Sequence, residues 1–261
     1  MDIDDTLSRL TKKVALLANA PRLPAESLRS LTKDFLIRYA HETTAIEGNT
    51  LTLHETQVVL ETGIVIAGKT LREHLEIVNA AGAMIWIEDA ADAKVVVSEE
   101  LILQLHEIMM RGILDRDAGS YRRQAVRIAG SRHVPPNWVR MPEMMERFVM
   151  RIGEGAGVAH PIAFAAKAHV ELAGIHPFVD GNGRVSRMMA NLLLLQSGYP
   201  PALYESTNRV QYLETLERAQ TDGDDQGFIV LTALAVETVL DRHLEILQMT
   251  QEAEKDYRFR P

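Results

Sequence analysis

The sequence contains no cysteine among its 261 residues. Disulfide bonds, catalytic thiols and thiolate metal sites are therefore excluded, and the composition suits a reducing compartment such as the cytoplasm. No segment approaches the ~18 consecutive apolar residues that a transmembrane helix requires. Residues 1–10 carry several charges and no apolar run, so we also expect no signal peptide.

Positive charge is in short supply as well. The 28 Lys and Arg residues are outnumbered by 36 Asp and Glu residues, which gives a formal net charge of −8. This balance disfavours broad electrostatic binding to nucleic acid or anionic lipid, but it leaves room for a local basic pocket. Hydrophobic residues (46%) and charged residues (25%) occur in proportions typical of a globular protein. We therefore predict a globular protein with neither a nucleic-acid nor a membrane partner.

Apolar residues recur with a helical period in most of the chain. Thr52 and Glu55 have the spacing of a capping box at a helix start, and Ser98 is a suitable N-cap for a later helix. Residues 120–136 differ, because Gly130 favours a turn and two consecutive prolines forbid a helix. We predict a short β-hairpin there, in an otherwise all-α protein.

One segment, at residues 176–187, concentrates the chemically capable side chains and reads His-Pro-Phe-Val-Asp-Gly-Asn-Gly-Arg-Val-Ser-Arg. A helical apolar run follows, so its glycines fall at a loop-to-helix junction, where free N–H groups can bind an anion such as phosphate. Arg184 and Arg187 share a helix face and can reach one polyphosphate. Asp180 is a suitable magnesium ligand, and His176 is the only obvious general base in the segment.

This segment resembles the signature of the Fic (filamentation induced by cAMP) family, His-Pro-Phe-x-(Asp/Glu)-Gly-Asn-(Gly/Lys)-Arg-x-x-Arg, at every specified position. Shorter runs elsewhere resemble Fic proteins of the animal and related bacterial type. They are AIEGNTLTL at 45–53, GKTL at 68–71, AGSYR at 118–122, HVPP at 133–136 and QSGYPP at 196–201. The resemblance implies the Fic fold, a helical bundle with a small β-hairpin called the flap.

The resemblance also implies how the chain is organised. Residues 1–95 would form an N-terminal helical region that carries an inhibitory motif at 43–48. Residues 96–249 would form the Fic core with the flap at about 122–136, and residues 250–261 a polar tail. We expect these parts to make one structural unit.

Fic proteins of this kind transfer AMP from ATP to a protein hydroxyl. The resemblance therefore implies a magnesium-dependent adenylyltransferase that modifies Ser, Thr or Tyr of an unidentified target protein, or of itself. His176 would take the proton from the attacking hydroxyl, and Asp180 would hold Mg²⁺ between the α- and β-phosphates. The α-phosphate would lie on the backbone of Gly181, Asn182 and Gly183, with a further hydrogen bond from the Asn182 side chain. Arg184 would contact the β-phosphate and Arg187 the γ-phosphate.

The segment Thr43-x-x-x-Glu47-Gly48 resembles the family's inhibitory pattern, (Ser/Thr)-x-x-x-Glu-(Gly/Asn). In such proteins the glutamate pairs with the second arginine of the signature, which is Arg187 here. A carboxylate on that guanidinium removes its bidentate site for the γ-phosphate and repels the nucleotide. Inhibition would then be intramolecular, with Glu47 as the brake.

Two further residues, Tyr212 and Gln220, fall where the family lines its adenine pocket, although core packing explains Tyr212 equally well. Three histidines, His106, His160 and His169, lack the spacing of a metal site, so we predict ordinary core or surface histidines.

Other functions remain compatible with the sequence. A de-AMPylase would use Glu47 to position water in the same pocket. A nucleotide-sensing binding module is a third alternative, but it would not need His176 and Asp180. A DNA-binding regulator is disfavoured by the net charge. Self-association into a homodimer is compatible with the resemblance.

Overall fold

The structure of the protein, a computed structural model, describes residues 2–114, 116–155 and 160–258. Within these ranges it contains ten α-helices and no β-strand, which confirms the all-α class. The helices are α1 (Ile3–Ala18), α2 (Ala25–Ala45), α3 (Leu53–Thr62), α4 (Leu71–Asp92), α5 (Glu99–Met110), α6 (Met141–Glu154), α7 (Pro161–Ile175), α8 (Asn182–Gln196), α9 (Arg209–Asp222) and α10 (Gln226–Arg258).

Several helices begin at the residues that the sequence indicates. The Thr52 hydroxyl accepts the Glu55 N–H at 3.2 Å, and the Glu55 carboxylate accepts the Thr52 N–H at 2.8 Å. This reciprocal pair is the predicted capping box of α3. Thr70 and Glu73 form a second capping box at the start of α4. Ser98 caps α5 as predicted.

Helix α8 lies in the centre of the molecule, and nearly all of its residues are buried. It packs chiefly against α7 and α4, while α2 crosses α4. The turn that follows α2 therefore approaches the N-terminal end of α8. Because the polar segment at 176–187 leads into α8, this packing brings it next to the segment at 43–48.

The β-hairpin predicted as the flap (residues 122–136) is absent, because no residue of this segment is in a strand. The segment is extended, with a turn at 128–131. The Arg122 guanidinium donates to the carbonyls of Gln124 and Pro136, at 2.8 and 2.7 Å, so one side chain joins the two arms. Pro136 and the proline before it have no N–H to donate, which removes bonds that a strand pair would need.

At the other end of the chain, α10 continues through the first part of the segment assigned from sequence to a polar tail. Residues 250–258 are helical, and residues 259–261 lie outside the described ranges. None of the helices described has both the length and the apolar content that a membrane span requires.

Candidate active site

His176 ends helix α7 in an unusual backbone conformation. Its φ of 53° and ψ of 57° lie in the left-handed region, which residues other than glycine rarely adopt. Among the described residues, only Lys94 shares a positive φ without being glycine. Such a conformation costs ~1–3 kcal/mol and persists where neighbouring contacts enforce it. Here the buried Arg122 donates from Nε to the His176 carbonyl at 2.8 Å, which holds the loop in place.

The imidazole of His176 is arranged to accept a proton. Its Nδ1 lies 3.3 Å from the carbonyl oxygen of Ala173, so Nδ1 carries the hydrogen and Nε2 keeps its lone pair. Burial lowers the pKa of His176 to about 4, although the Ala173 carbonyl acts in the opposite direction. The ring is therefore neutral at neutral pH, as a general base must be.

Asn182 stabilises the loop through its side chain. Its Oδ1 accepts the Phe178 N–H, and its Nδ2 donates to the Phe178 carbonyl, both at 2.9 Å. Asn182 is buried, with 4% of its surface exposed. The resemblance implies that this amide contacts phosphate, but in the structure the loop backbone occupies both of its groups. What Asn182 offers to an anion is its backbone N–H.

His106 supports this loop, a role that the sequence alone does not indicate. Its Nε2–H donates to the Asp180 carbonyl and its Nδ1 accepts the Gly119 N–H, both at 3.0 Å. The ring stacks on Phe178 with centroids 3.7 Å apart. Burial lowers the pKa of His106 to about 4, so the ring is a neutral core histidine, as expected. No local spacing could have revealed these contacts, because His106 lies 74 residues before Asp180.

The Asp180 carboxylate is surrounded by N–H donors. Oδ1 accepts the Gly181 N–H at 2.6 Å and Arg184 Nη2 at 3.1 Å, while Oδ2 accepts Arg72 Nη2. Burial alone would raise the pKa of Asp180, but Arg184, Arg72 and the Gly181 N–H offset this, and the net pKa is lowered. Asp180 is therefore ionised at neutral pH.

Asp180 fits the predicted magnesium role as a solitary ligand. In the part of the chain that the structure describes, no three His, Cys, Asp or Glu side chains are grouped to form a metal cage. Mg²⁺ does not need such a cage, since one or two carboxylates and the phosphates of a substrate commonly hold it. The Asp180 side chain is 37% exposed, and Oδ2 has no partner among the described residues other than Arg72.

The first turn of α8 presents hydrogen-bond donors without acceptors. The N–H groups of Asn182, Gly183 and Arg184 have no protein acceptor among the residues described. The Arg184 side chain is 2% exposed; its Nε has no hydrogen-bond partner, and its Nη1 has only a 3.4 Å ion-pair contact with Glu76. Unsatisfied buried donors are unfavourable, and a bound anion would satisfy them. These three amides and the Arg184 guanidinium are the donors that the predicted phosphate site would use, and the phosphate site itself stays a prediction.

Arg187 is bound by the segment that resembles the inhibitory motif. Its Nε donates to Thr43 Oγ1 at 2.8 Å, and its Nη2 donates to the Thr43 carbonyl at 2.8 Å and to Glu47 Oε1 at 2.7 Å. Nη1 donates to the Tyr212 hydroxyl at 3.0 Å. Burial alone would lower the pKa of Arg187, but Tyr212 and Glu47 more than offset it, so the guanidinium stays charged. The predicted pairing of Glu47 with Arg187 is therefore present.

The Glu47 carboxylate also lies against Gly183, in the first turn of α8. A Cβ built on Gly183 would clash with Glu47 Oε1 and lie 3.2 Å from Arg187 Nη1. Gly183 thus gives the carboxylate room to reach the guanidinium. Since the Gly183 N–H is one of the three without an acceptor among the described residues, Glu47 lies beside the predicted anion site.

A pocket of about 260 Å³ adjoins these residues and holds both candidates for adenine binding. Its lining includes Glu47, His176, Asn182, Gly183, Arg187, Tyr212 and Gln220. Tyr212 is nevertheless 2% exposed, and its hydroxyl lies 2.9 Å from His169 Nε2 as well as bonding Arg187. Tyr212 therefore packs in the core and also lines the pocket. Contact of Tyr212 or Gln220 with adenine stays a prediction.

Comparison with known proteins identifies the family. The model of the Fic/DOC family matches residues 96–194, a range that contains the loop at 176–187. Protein adenylyltransferase Fic from Drosophila mojavensis is 36% identical over 219 residues, which is 84% of this chain and 43% of that protein. The chain belongs to the Fic/DOC family.

This Fic-family chain also shares its architecture with solved relatives. It is similar to Fic-1 from C. elegans with a TM-score of 0.87 and 28% identity, over 95% of this chain and 73% of that one. Protein adenylyltransferase Fic from Drosophila melanogaster is 36% identical, again over 84% of the chain. The Fic-family chain spans less than half the length of the curated relatives it matches, 43% and 44% for these two.

Proposed function

We propose that this Fic-family protein is an autoinhibited protein adenylyltransferase. It transfers AMP from ATP to a Ser, Thr or Tyr hydroxyl of a target protein, or of itself, and releases pyrophosphate. The observation that carries the proposal is the set of donors without acceptors at the first turn of α8 and on Arg184, next to the neutral imidazole of His176. The curated relatives named protein adenylyltransferase support the same reaction.

In this reaction His176 Nε2 takes the proton of the target hydroxyl while that oxygen attacks the α-phosphorus. The bond from the α-phosphorus to the bridging oxygen breaks, and pyrophosphate leaves with the bond electrons. The N–H groups of Asn182 and Gly183 stabilise the charge that develops on the α-phosphate oxygens. These donors are fixed before the substrate binds, so little reorganisation is needed at the moment of transfer.

Asp180 would hold the magnesium ion, and Arg184 would bind the β-phosphate. When bound, Mg²⁺ supplies positive charge to the α- and β-phosphates and thereby favours departure of pyrophosphate. The Nε of Arg184, which has no hydrogen-bond partner, supports its role, because a phosphate oxygen would supply an acceptor.

Glu47 would act as the inhibitor through Arg187. While Glu47 Oε1 and both groups of Thr43 hold Arg187, its guanidinium has no free bidentate edge for a γ-phosphate. The carboxylate beside Gly183 also repels a polyphosphate. The conformation described above is, in this proposal, the inhibited form.

Removal of AMP is the second candidate function. Glu47 is 38% exposed and lines the pocket that also contains His176, which favours a role in positioning water against a phosphorus atom. A module that only senses nucleotides would have no use for the neutral base at His176. Release of AMP from a modified protein by the wild type, and loss of this release in Glu47→Gly, would distinguish the second function from transfer.

Transfer of α-labelled ATP in the presence of Mg²⁺ tests the main proposal. We compare the wild type, Glu47→Gly and the double variant Glu47→Gly/His176→Ala. Label on the protein only in the single variant would support both adenylyl transfer and the intramolecular brake. Absence of label from all three, in the presence of a cell lysate as a source of targets, would refute the transferase function.

The partners of the reaction are part of the proposal. We expect the target protein to lie in the cytoplasm. Until it is identified, auto-AMPylation can be assayed in place of target modification. A homodimer is also part of the proposal, and it rests on the resemblance to Fic proteins. Sedimentation of the purified chain at several concentrations would test the homodimer, and a monomer at all of them would exclude it.

A further inference from the structure

Four charged side chains of alternating sign form a closed ring at the N-terminal end of α8. Asp180 pairs with Arg184 at 3.1 Å and also with Arg72, and both arginines pair with Glu76, at 3.4 Å from Arg184 and 3.0 Å from Arg72. Arg72 and Glu76 belong to α4, which lies outside the range matched by the Fic/DOC family model. The N-terminal region thus supplies a cation to the carboxylate that we assign to magnesium.

The two arginines of the ring differ in their freedom to move. The Arg184 side chain is 2% exposed and is enclosed by the core, whereas the Arg72 side chain is 53% exposed. Arg72 can leave Asp180 while its Nε stays on Glu76, because that contact uses a different nitrogen. Exposed ion pairs of this kind contribute little free energy, so another cation can displace Arg72.

The two oxygens of Asp180 differ in the same way. Oδ1 is held by the Gly181 N–H and by the buried Arg184, both of which are fixed at the start of α8. Oδ2 accepts only Arg72 among the residues described. A metal ion that binds Asp180 must therefore take Oδ2, which is the oxygen that Arg72 holds.

We infer that Arg72 occupies the cation position at Asp180 in the metal-free protein and competes with magnesium for Oδ2. This inference rests on the magnesium role proposed for Asp180. Mg²⁺ and a guanidinium are both positive, so they cannot share one carboxylate oxygen without repulsion. Arg72 thus raises the metal concentration needed to half-saturate the site, because a metal ion can bind only after Arg72 separates from Asp180.

Manganese binding tests the inference without measuring activity. Mn²⁺ is titrated into the Glu47→Gly protein saturated with α,β-methylene-ATP, and free Mn²⁺ is measured by electron paramagnetic resonance. The same titration is made after adding Arg72→Ala or Arg72→Gln, of which the second preserves most of the side-chain volume. Arg242→Ala removes a comparable surface arginine, paired with Asp34 at 3.0 Å away from the site, and is the matched control.

Both Arg72 variants should lower the half-saturating Mn²⁺ concentration by about two- to fivefold, the range expected for removing an exposed ion pair. The control should leave it unchanged. An unchanged value in both Arg72 variants would overturn the inference while the magnesium role of Asp180 stands. A higher value would also overturn it, because Arg72 would then bind phosphate. If the Glu47→Gly parent retains no more Mn²⁺ than its Asp180→Asn derivative, the magnesium role fails as well.

Discussion

Glu47 Oε1 and Arg187 Nη2 lie 2.7 Å apart although 140 residues separate them in the chain. The Arg187 side chain is 1% exposed and the Glu47 side chain is 38% exposed, so the cation is enclosed while the anion faces the pocket. Thr43 and Tyr212 would still hold Arg187 if Glu47 turned away. In the proposed inhibition, release therefore needs a rotation of one side chain, and α2 can stay folded.

Gly183→Ala should partly release this inhibition. The new Cβ would clash with Glu47 Oε1, whose side chain can move, whereas the backbone of α8 is packed on nearly all sides. Gly183 is helical, so alanine adds no backbone strain. Loss of ~1 kcal/mol from the Glu47–Arg187 pair would raise auto-AMPylation, measured with α-labelled ATP, by about fivefold. In the Glu47→Gly background the substitution should give no increase, and an increase there would contradict the explanation.

Tyr212→Phe should destabilise the protein while preserving the ring that lines the pocket. The Tyr212 hydroxyl accepts a hydrogen bond from Arg187 and donates one to His169. The substitution removes both hydrogen bonds and leaves two buried side chains without this partner. We expect the free energy of unfolding in urea to fall by about 2 kcal/mol, because one partner is charged. Tyr204→Phe, which loses a 2.9 Å bond to Thr232, is the control and should cost about 1 kcal/mol. Equal losses would argue against the bridging role of Tyr212.

His106 should make stability depend on pH. Its pKa is about 4 in the folded protein and near its ordinary value of 6.5 in the unfolded chain. As the pH falls from 6.5 to 4, the unfolded chain binds the proton first, so the free energy of unfolding decreases. The contribution of His106 to this loss reaches about 3 kcal/mol.

Urea unfolding of His106→Gln between pH 4 and 7 checks this prediction. The variant is expected to be less stable at neutral pH, because it loses the contacts with Asp180 and Gly119, and to show a shallower decline on acidification. His54→Gln changes an exposed histidine and should keep the wild-type slope. A slope in His106→Gln equal to that of the wild type would refute the assignment.

Arg122→Lys should loosen the loop at residues 122–136. Arg122 joins the carbonyls of His176, Gln124 and Pro136, and a lysine ammonium cannot reproduce that planar arrangement. We expect faster amide hydrogen exchange in residues 123–136 and a loss of about 2–3 kcal/mol in the free energy of unfolding. Arg123→Lys, at the exposed neighbouring position, should change neither. Unaltered exchange in Arg122→Lys would show that other contacts hold this loop.

Features that depend on neighbours in the chain could be predicted from the sequence. The Thr52–Glu55 capping box, the Ser98 cap and the all-α class follow from contacts within one helical turn. The N–H groups without acceptors at the start of α8 belong to the same group, because a glycine-containing loop before a helix exposes its N–H groups wherever the helix lies. The resemblance added the pairing of Glu47 with Arg187, which no local rule contains.

The tertiary structure alone decided which distant side chains complete the site. Packing of α5 and α4 against α8 brings His106 to the Asp180 carbonyl and Arg72 to its carboxylate. The Asn182 amide bonds the backbone of Phe178, four residues away, in place of the phosphate contact that the resemblance implies. Residues 122–136 form a bridged loop because Arg122 reaches both arms. Hydrophobic periodicity and capping patterns reflect interactions within one helix. The contacts of His106, Arg72 and Arg122 join residues from different segments, so they form only after the helices have packed together.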